Sequence, residues 1–122
     1  MSNLLETQVG GNHYLSAYQT IEYCCNNDLN GFQLSILKYA VRHKKKNGRE
    51  DLLKATDWCE KGKLLNPANH ATYDQRDAKM FVEANVLEND FDHFLYYLAY
   101  QDWDSCISYI KRMIRDHYGD ID

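Results

Sequence analysis

A single proline stands in the whole chain, beside only six glycines in 122 residues. Long segments without a breaker favour helices, because proline removes a helix donor and glycine costs about 1 kcal/mol against alanine. No stretch alternates apolar and polar residues convincingly enough for a strand. No apolar run approaches the roughly 18 residues of a membrane span, and no signal peptide or lipidation motif is recognisable. The expectation is a soluble, cytoplasmic protein without membrane contact.

Chemical signatures are equally sparse. Cys24, Cys25, Cys59 and Cys106 form no C-x-x-C pair, which points to reduced, mostly buried thiols acting as small apolar residues. Gly62-Lys63 is followed by Leu64 and preceded by no suitably spaced glycine, so no Walker loop is present. H-E-x-x-H, an EF-hand loop, paired Cys/His spacing and a nucleophile elbow are all missing. The five histidines are scattered, and no metal site is expected from them. A basic excess is also lacking. Net charge is −4: residues 1–61 carry eight Lys/Arg against seven Asp/Glu, and residues 62–122 carry six against eleven. Phosphate backbones demand a basic surface, so direct DNA binding is not expected.

The composition that is present, 44% hydrophobic and 26% charged, is that of one globular domain. Helical periodicity divides residues 1–122 into an N-terminal arm (1–18), a helical half (19–61), a linker loop (62–74) and an acidic helical half (75–122). Six helices are expected, near 20–27, 32–45, 49–61, 75–86, 90–101 and 103–117. Thr20 and Asp74 are the candidate N-caps, and Gly48 the left-handed residue that ends helix two. The fold class is all-α, a compact bundle of about six helices. Scattered matches between the halves, such as Phe32/Phe91 and Ala40/Ala99, leave degenerate three-helix repeats and chance equally open.

Two regions carry the candidate chemistry. In "VRHKKKNGREDLLKA" (41–55) Arg42, Lys44, Lys45 and Lys46 crowd a helix end. Lys38, Arg42 and Lys45 fall at i, i+4 and i+7, one cationic stripe. With the free N–H groups that open helix three, Lys38 and Arg42 could hold phosphate oxygens, while Lys44 serves the turn. Glu50 and Asp51 would either compete with an anion or orient those cations. The bland alternative is a solvated, dipole-compensating helix end. The arm "GGNHY" (10–14) adds His13, which titrates near neutrality. Further along, "FDHFLYYLAYQDWD" (91–104) places Tyr96, Tyr97 and Tyr100 among acids. These tyrosines cannot all face inward with Phe94, Leu95 and Leu98, so some must be exposed or lie at an interface.

"GGNHY", "QTIEY" (19–23) and "KYAVRHKKKNGREDLLKATDW" (38–58) together resemble a small phage-encoded family whose reference member is the nucleotide kinase of T7-like phages. The resemblance covers about residues 9–60. It implies a helical, oligomeric protein of an infected bacterial host that phosphorylates deoxynucleoside monophosphates without a Walker loop. A nucleoside triphosphate, with Mg2+ for a kinase, would be the cofactor. Carried over, His13, Lys38 and Arg42 are the catalytic candidates, and Tyr14, Tyr39, Lys46, Glu50 and Asp51 the nucleotide-binding ones. The family pattern has proline where Thr20 stands and Gly-Asn where Leu34-Ser35 stands.

The expectation is therefore a nucleotide-binding protein, kinase-like if an enzyme. The alternative is a non-enzymatic accessory protein that inhibits a host nuclease or CRISPR-type defence complex. Its partner-binding candidates are Asp90, Asp92, Tyr96, Tyr97, Tyr100 and Asp102.

Overall fold

A computed structural model describes residues 18–119 of the chain. The expected arm, with His13 and Tyr14, lies outside these described residues. Among the described residues six α-helices follow one another: α1 (Thr20–Asn26), α2 (Gly31–Arg42), α3 (Arg49–Leu65), α4 (Gln75–Ala84), α5 (Phe91–Ala99) and α6 (Trp103–Tyr118). A 3-10 turn, His43–Lys45, joins α2 to the segment before α3. Among the described residues there is no strand, and the chain is an all-α bundle. No helix among them is long and apolar enough to cross a membrane.

Helix α3 is central, packed against both α2 and α6, while α6 also packs against α5 and α5 against α4. The reason lies in its buried face: Leu52, Ala55 and Cys59 are fully covered, and small residues there let neighbouring helices approach closely. Ile36, Leu37 and Ala40 of α2 meet them, together with Cys106, Ile110, Met113 and Ile114 of α6. Phe91, Phe94, Leu95 and Leu98 complete the core from α5, on the stripe that the sequence periodicity marks out.

The helix ends depart from the sequence expectation in several places. Gln19, not Thr20, caps α1, its backbone N–H donating to Glu22 Oε1 at 3.1 Å. Helix α2 begins at Gly31 because Asn30 and Gln33 cap it reciprocally, through bonds of 3.0 and 2.7 Å. Its regular hydrogen bonding stops at Arg42, so Lys45 lies in the tighter 3-10 turn and does not continue the stripe of Lys38. Helix α3 then runs four residues past the expected end, to Leu65, before left-handed Asn66 and Pro67 stop it. Gly62 lies inside α3 for a packing reason. A Cβ there would sit 2.7 Å from the Trp103 ring, so only glycine lets α6 lie this close.

Candidate functional site

The chain reverses between α2 and α3 through residues 43–48. Gly48 makes this possible with φ of +58°, its N–H donating to the His43 carbonyl at 2.8 Å. Arg42 turns inward at this corner. Its Nε and Nη2 donate to Asp51 at 3.2 and 3.3 Å, and its guanidinium carbon lies 4.6 Å from the Tyr39 ring centre. Lys54 approaches the same ring at 5.8 Å. Asp51 is wholly buried and also accepts from the Asn47 backbone N–H at 3.2 Å. Burial works to raise its carboxyl, but the bonds from Arg42 and Asn47 outweigh that and hold it below the ordinary carboxylate value.

Glu50, exposed, reaches Lys54 at 3.6 Å. The two acids that could have opposed an anion are therefore committed, Asp51 to the interior and Glu50 along its own helix. Lys38, Lys44, Lys45 and Lys46 are exposed, and among the described residues no carboxylate lies within ion-pair distance of them. The structure thus joins Tyr39, Arg42 and Asp51 at one corner, with Glu50 paired to Lys54 and Lys38 and Lys46 exposed. Arg42 and Asp51 form its fixed frame, and the lysines its open face.

Behind this corner lies a cluster that sequence spacing did not reveal. His43 from the 3-10 turn, Glu88 from the α4–α5 loop and His117 from the last turn of α6 converge, each offering one ligand atom within 4.8 Å of the others. His117 Nε2 lies 2.6 Å from Glu88 Oε2, and the Tyr118 hydroxyl 2.7 Å from His43 Nδ1. Burial pushes the His43 imidazole down to about 4, with His117 and Lys44 adding to the effect. Burial works to raise Glu88, yet the bond with His117, helped by the Lys44 charge, leaves it below the ordinary value. His43 is therefore a neutral ring at pH 7 and Glu88 an anion. The only sequence signal was the histidine flanking the lysine run, because its partners stand 45 and 74 positions further along the chain.

The aromatic candidates separate by exposure. Tyr96 and Tyr100 stand out from α5 at 46% and 64% exposure, their ring centres 4.7 Å apart, with Tyr73 edge-on to Tyr96 at 5.3 Å. Tyr97 is half-buried. Asp92 is buried, Asp90 accepts from the Tyr109 hydroxyl at 2.8 Å and Arg112 at 2.6 Å, and Asp102 caps α6 through Ser105. The exposed face is thus more aromatic than acidic.

Comparison with known proteins gives one finding. A family model described as a protein of unknown function (DUF3310) matches residues 10–60, fewer than half of the chain. No curated protein and no solved structure matches. The resemblance to a nucleotide-kinase family is corrected accordingly: the matching model carries no kinase description, and no kinase family matches. Motifs such as K-Y-x-x-R and E-D-L-x-K-A are accounted for structurally by the Arg42–Asp51 frame, which needs no catalysis to explain it. The matched stretch includes His43 but neither Glu88 nor His117.

Proposed function

We propose that the chain is a nucleotide-binding protein, taking the phosphates of its ligand at the corner between α2 and α3. The observation that carries this reading is the inward commitment of Asp51. With its carboxylate spent on Arg42 and Asn47, the first turn of α3 does not neutralise the lysines beside it. Lys44, Lys45 and Lys46, consecutive in the chain after α2, and Lys38, one helical turn before Arg42, are all exposed. Flexible ammonium chains suit phosphate as point charges, while the fixed Arg42 holds Tyr39 in place through its cation–π contact.

Calorimetric titration with deoxynucleoside mono- and triphosphates tests this, alongside the bare nucleoside. Binding of the phosphorylated ligands that weakens with salt, and none of the nucleoside, is the expected result. Absence of heat at millimolar ligand removes the proposal. Incubating both phosphate forms with Mg2+ in the same series reads whether binding leads on to phosphoryl transfer.

A second reading rests on the exposed rings of Tyr96 and Tyr100, with the half-buried Tyr73 edge-on to Tyr96. Tyrosine contributes large contact area at low entropic cost, so this ridge suits a protein partner, a second copy of the chain included. Light scattering of the wild type against Tyr96→Ser/Tyr100→Ser decides whether the ridge is used for self-association.

A further inference from the structure

We propose that His43, Glu88 and His117 form a binding site for a divalent transition-metal ion of the zinc class, separate from the lysine corner. The three residues come from three different elements, so only the finished fold brings them together. Two imidazoles and one carboxylate select zinc, cobalt or nickel over magnesium or calcium, which prefer all-oxygen sets. Three protein ligands also leave a fourth position for water or an anionic ligand.

The distances are compatible with metal binding. Ligand bonds of about 2.0–2.2 Å in a tetrahedron place donor atoms roughly 3.3 Å apart. The His117–Glu88 pair at 2.6 Å must open by less than an ångström, and pairs as far apart as 4.8 Å must close by about 1.5 Å. Side-chain torsions suffice for the partly exposed members, since Glu88 and His117 each keep 25% of their side chains exposed. His43 is the fixed member, 2% exposed.

The Tyr118 hydroxyl fixes the His43 ring. With Nδ1–H donating to that oxygen, Nε2 is the nitrogen turned over to the metal, an arrangement that orients ligating histidines in general. The Tyr118 ring stands beside Gly48, where a Cβ would lie 3.4 Å from it. One nearby group opposes a cation: Lys44, whose charge is felt at both His43 and Glu88. It is an exposed lysine on a flexible stem, free to swing outward.

The test uses the full chain, stripped with chelator and titrated with zinc chloride against a chromophoric competitor. Cobalt(II) spectra in parallel report the coordination geometry. One equivalent per chain at micromolar or tighter affinity is expected, with the intense visible bands of tetrahedral cobalt. His117→Ala and Glu88→Gln should each weaken binding at least ~100-fold, and Tyr118→Phe about 10-fold, since partners of ligating histidines typically contribute 10–100-fold. His117 and Glu88 lie outside the core, so their variants should keep the wild-type helical circular dichroism. Cys25 is an exposed thiol, and Cys25→Ser must leave affinity unchanged. No binding at 100 µM-scale zinc (roughly the upper end for a specific site), equal affinity in His117→Ala and Glu88→Gln, or dependence on Cys25 would each overturn the proposal. Nucleotide titration of the stripped protein stands apart from these outcomes, because the lysine corner contains none of the three ligands.

Discussion

Replacing Asp51 by asparagine tests the frame on which the lysine corner rests. The carboxylate is wholly buried and receives both Arg42 nitrogens and the Asn47 N–H. Asparagine keeps one acceptor oxygen but turns an NH2 group toward a guanidinium that can only donate. Breaking a buried pair typically costs about 3–5 kcal/mol. Arg42 keeps 30% of its side chain exposed and can recover water, which brings the expected cost to about 2 kcal/mol. For a domain of this size that corresponds to a melting point lower by roughly 8 °C.

Arg42→Met should cost more, about 3–4 kcal/mol, because it strands the fully buried partner instead of the half-exposed one. Circular dichroism melts at pH 7 measure both. The pH dependence carries a definite sign. Asp51 has its folded value below the unfolded one, so its contribution is complete above about pH 4 and is lost as pH falls through the folded value. The gap between wild type and Asp51→Asn must therefore narrow toward pH 2. A deficit under ~0.5 kcal/mol would show a solvated surface bridge, and one that persists unchanged in acid would show that the carboxylate charge is not its source; either refutes the reasoning.

Gly62→Ala sets a gain of up to 1 kcal/mol in helix propensity against a Cβ 2.7 Å from the Trp103 ring. A net loss of about 1–2 kcal/mol in urea unfolding, with a shift in tryptophan emission, is expected. Changing Lys44, Lys45 and Lys46 together to glutamine should abolish phosphate-dependent nucleotide binding while moving stability by no more than ~0.5 kcal/mol, since all three are exposed. Asp90→Asn should destabilise by about 1–2 kcal/mol, because it weakens the bonds from Tyr109 and Arg112 that tie the start of α5 to α6. Thermal melts of that variant check it.

What the sequence made legible was whatever repeats within one or two helical turns. The stripe Phe91, Phe94, Leu95, Leu98 on α5 is such a pattern, and the structure buries all four. Asp74 announced a helix start because its side chain needs to reach only two residues, to the N–H of Arg76. Gly62 misled because glycine has two uses that look alike in one dimension. It breaks helices on entropic grounds, and it admits a close neighbour on steric ones. Only Trp103, 41 residues away, decides between them. Three of the four thiols are buried, in line with the expectation of mostly buried thiols, and Cys25 is the exposed one because two adjacent helical residues cannot both face the core.

The candidate site divides along the same line. Lys38 and Arg42 lie four residues apart, and helical spacing alone suggested that they act together. In the structure Arg42 is bonded to Asp51, nine positions beyond it, while Lys38 is exposed. A contact across a tight reversal is the shortest kind that periodicity cannot express, and here it ties the candidate Arg42 to a buried carboxylate. The cluster of His43, Glu88 and His117 is the extreme case. Its members obey no spacing rule, since they belong to the turn after α2, the α4–α5 loop and the end of α6. Its position explains why a family-level match over residues 10–60 would not define it. The lysine corner is built almost entirely within that matched stretch, whereas a metal at the cluster needs the second half of the chain. If both proposals hold, phosphate recognition belongs to the matched half, and any metal chemistry beside it depends on the helices that follow.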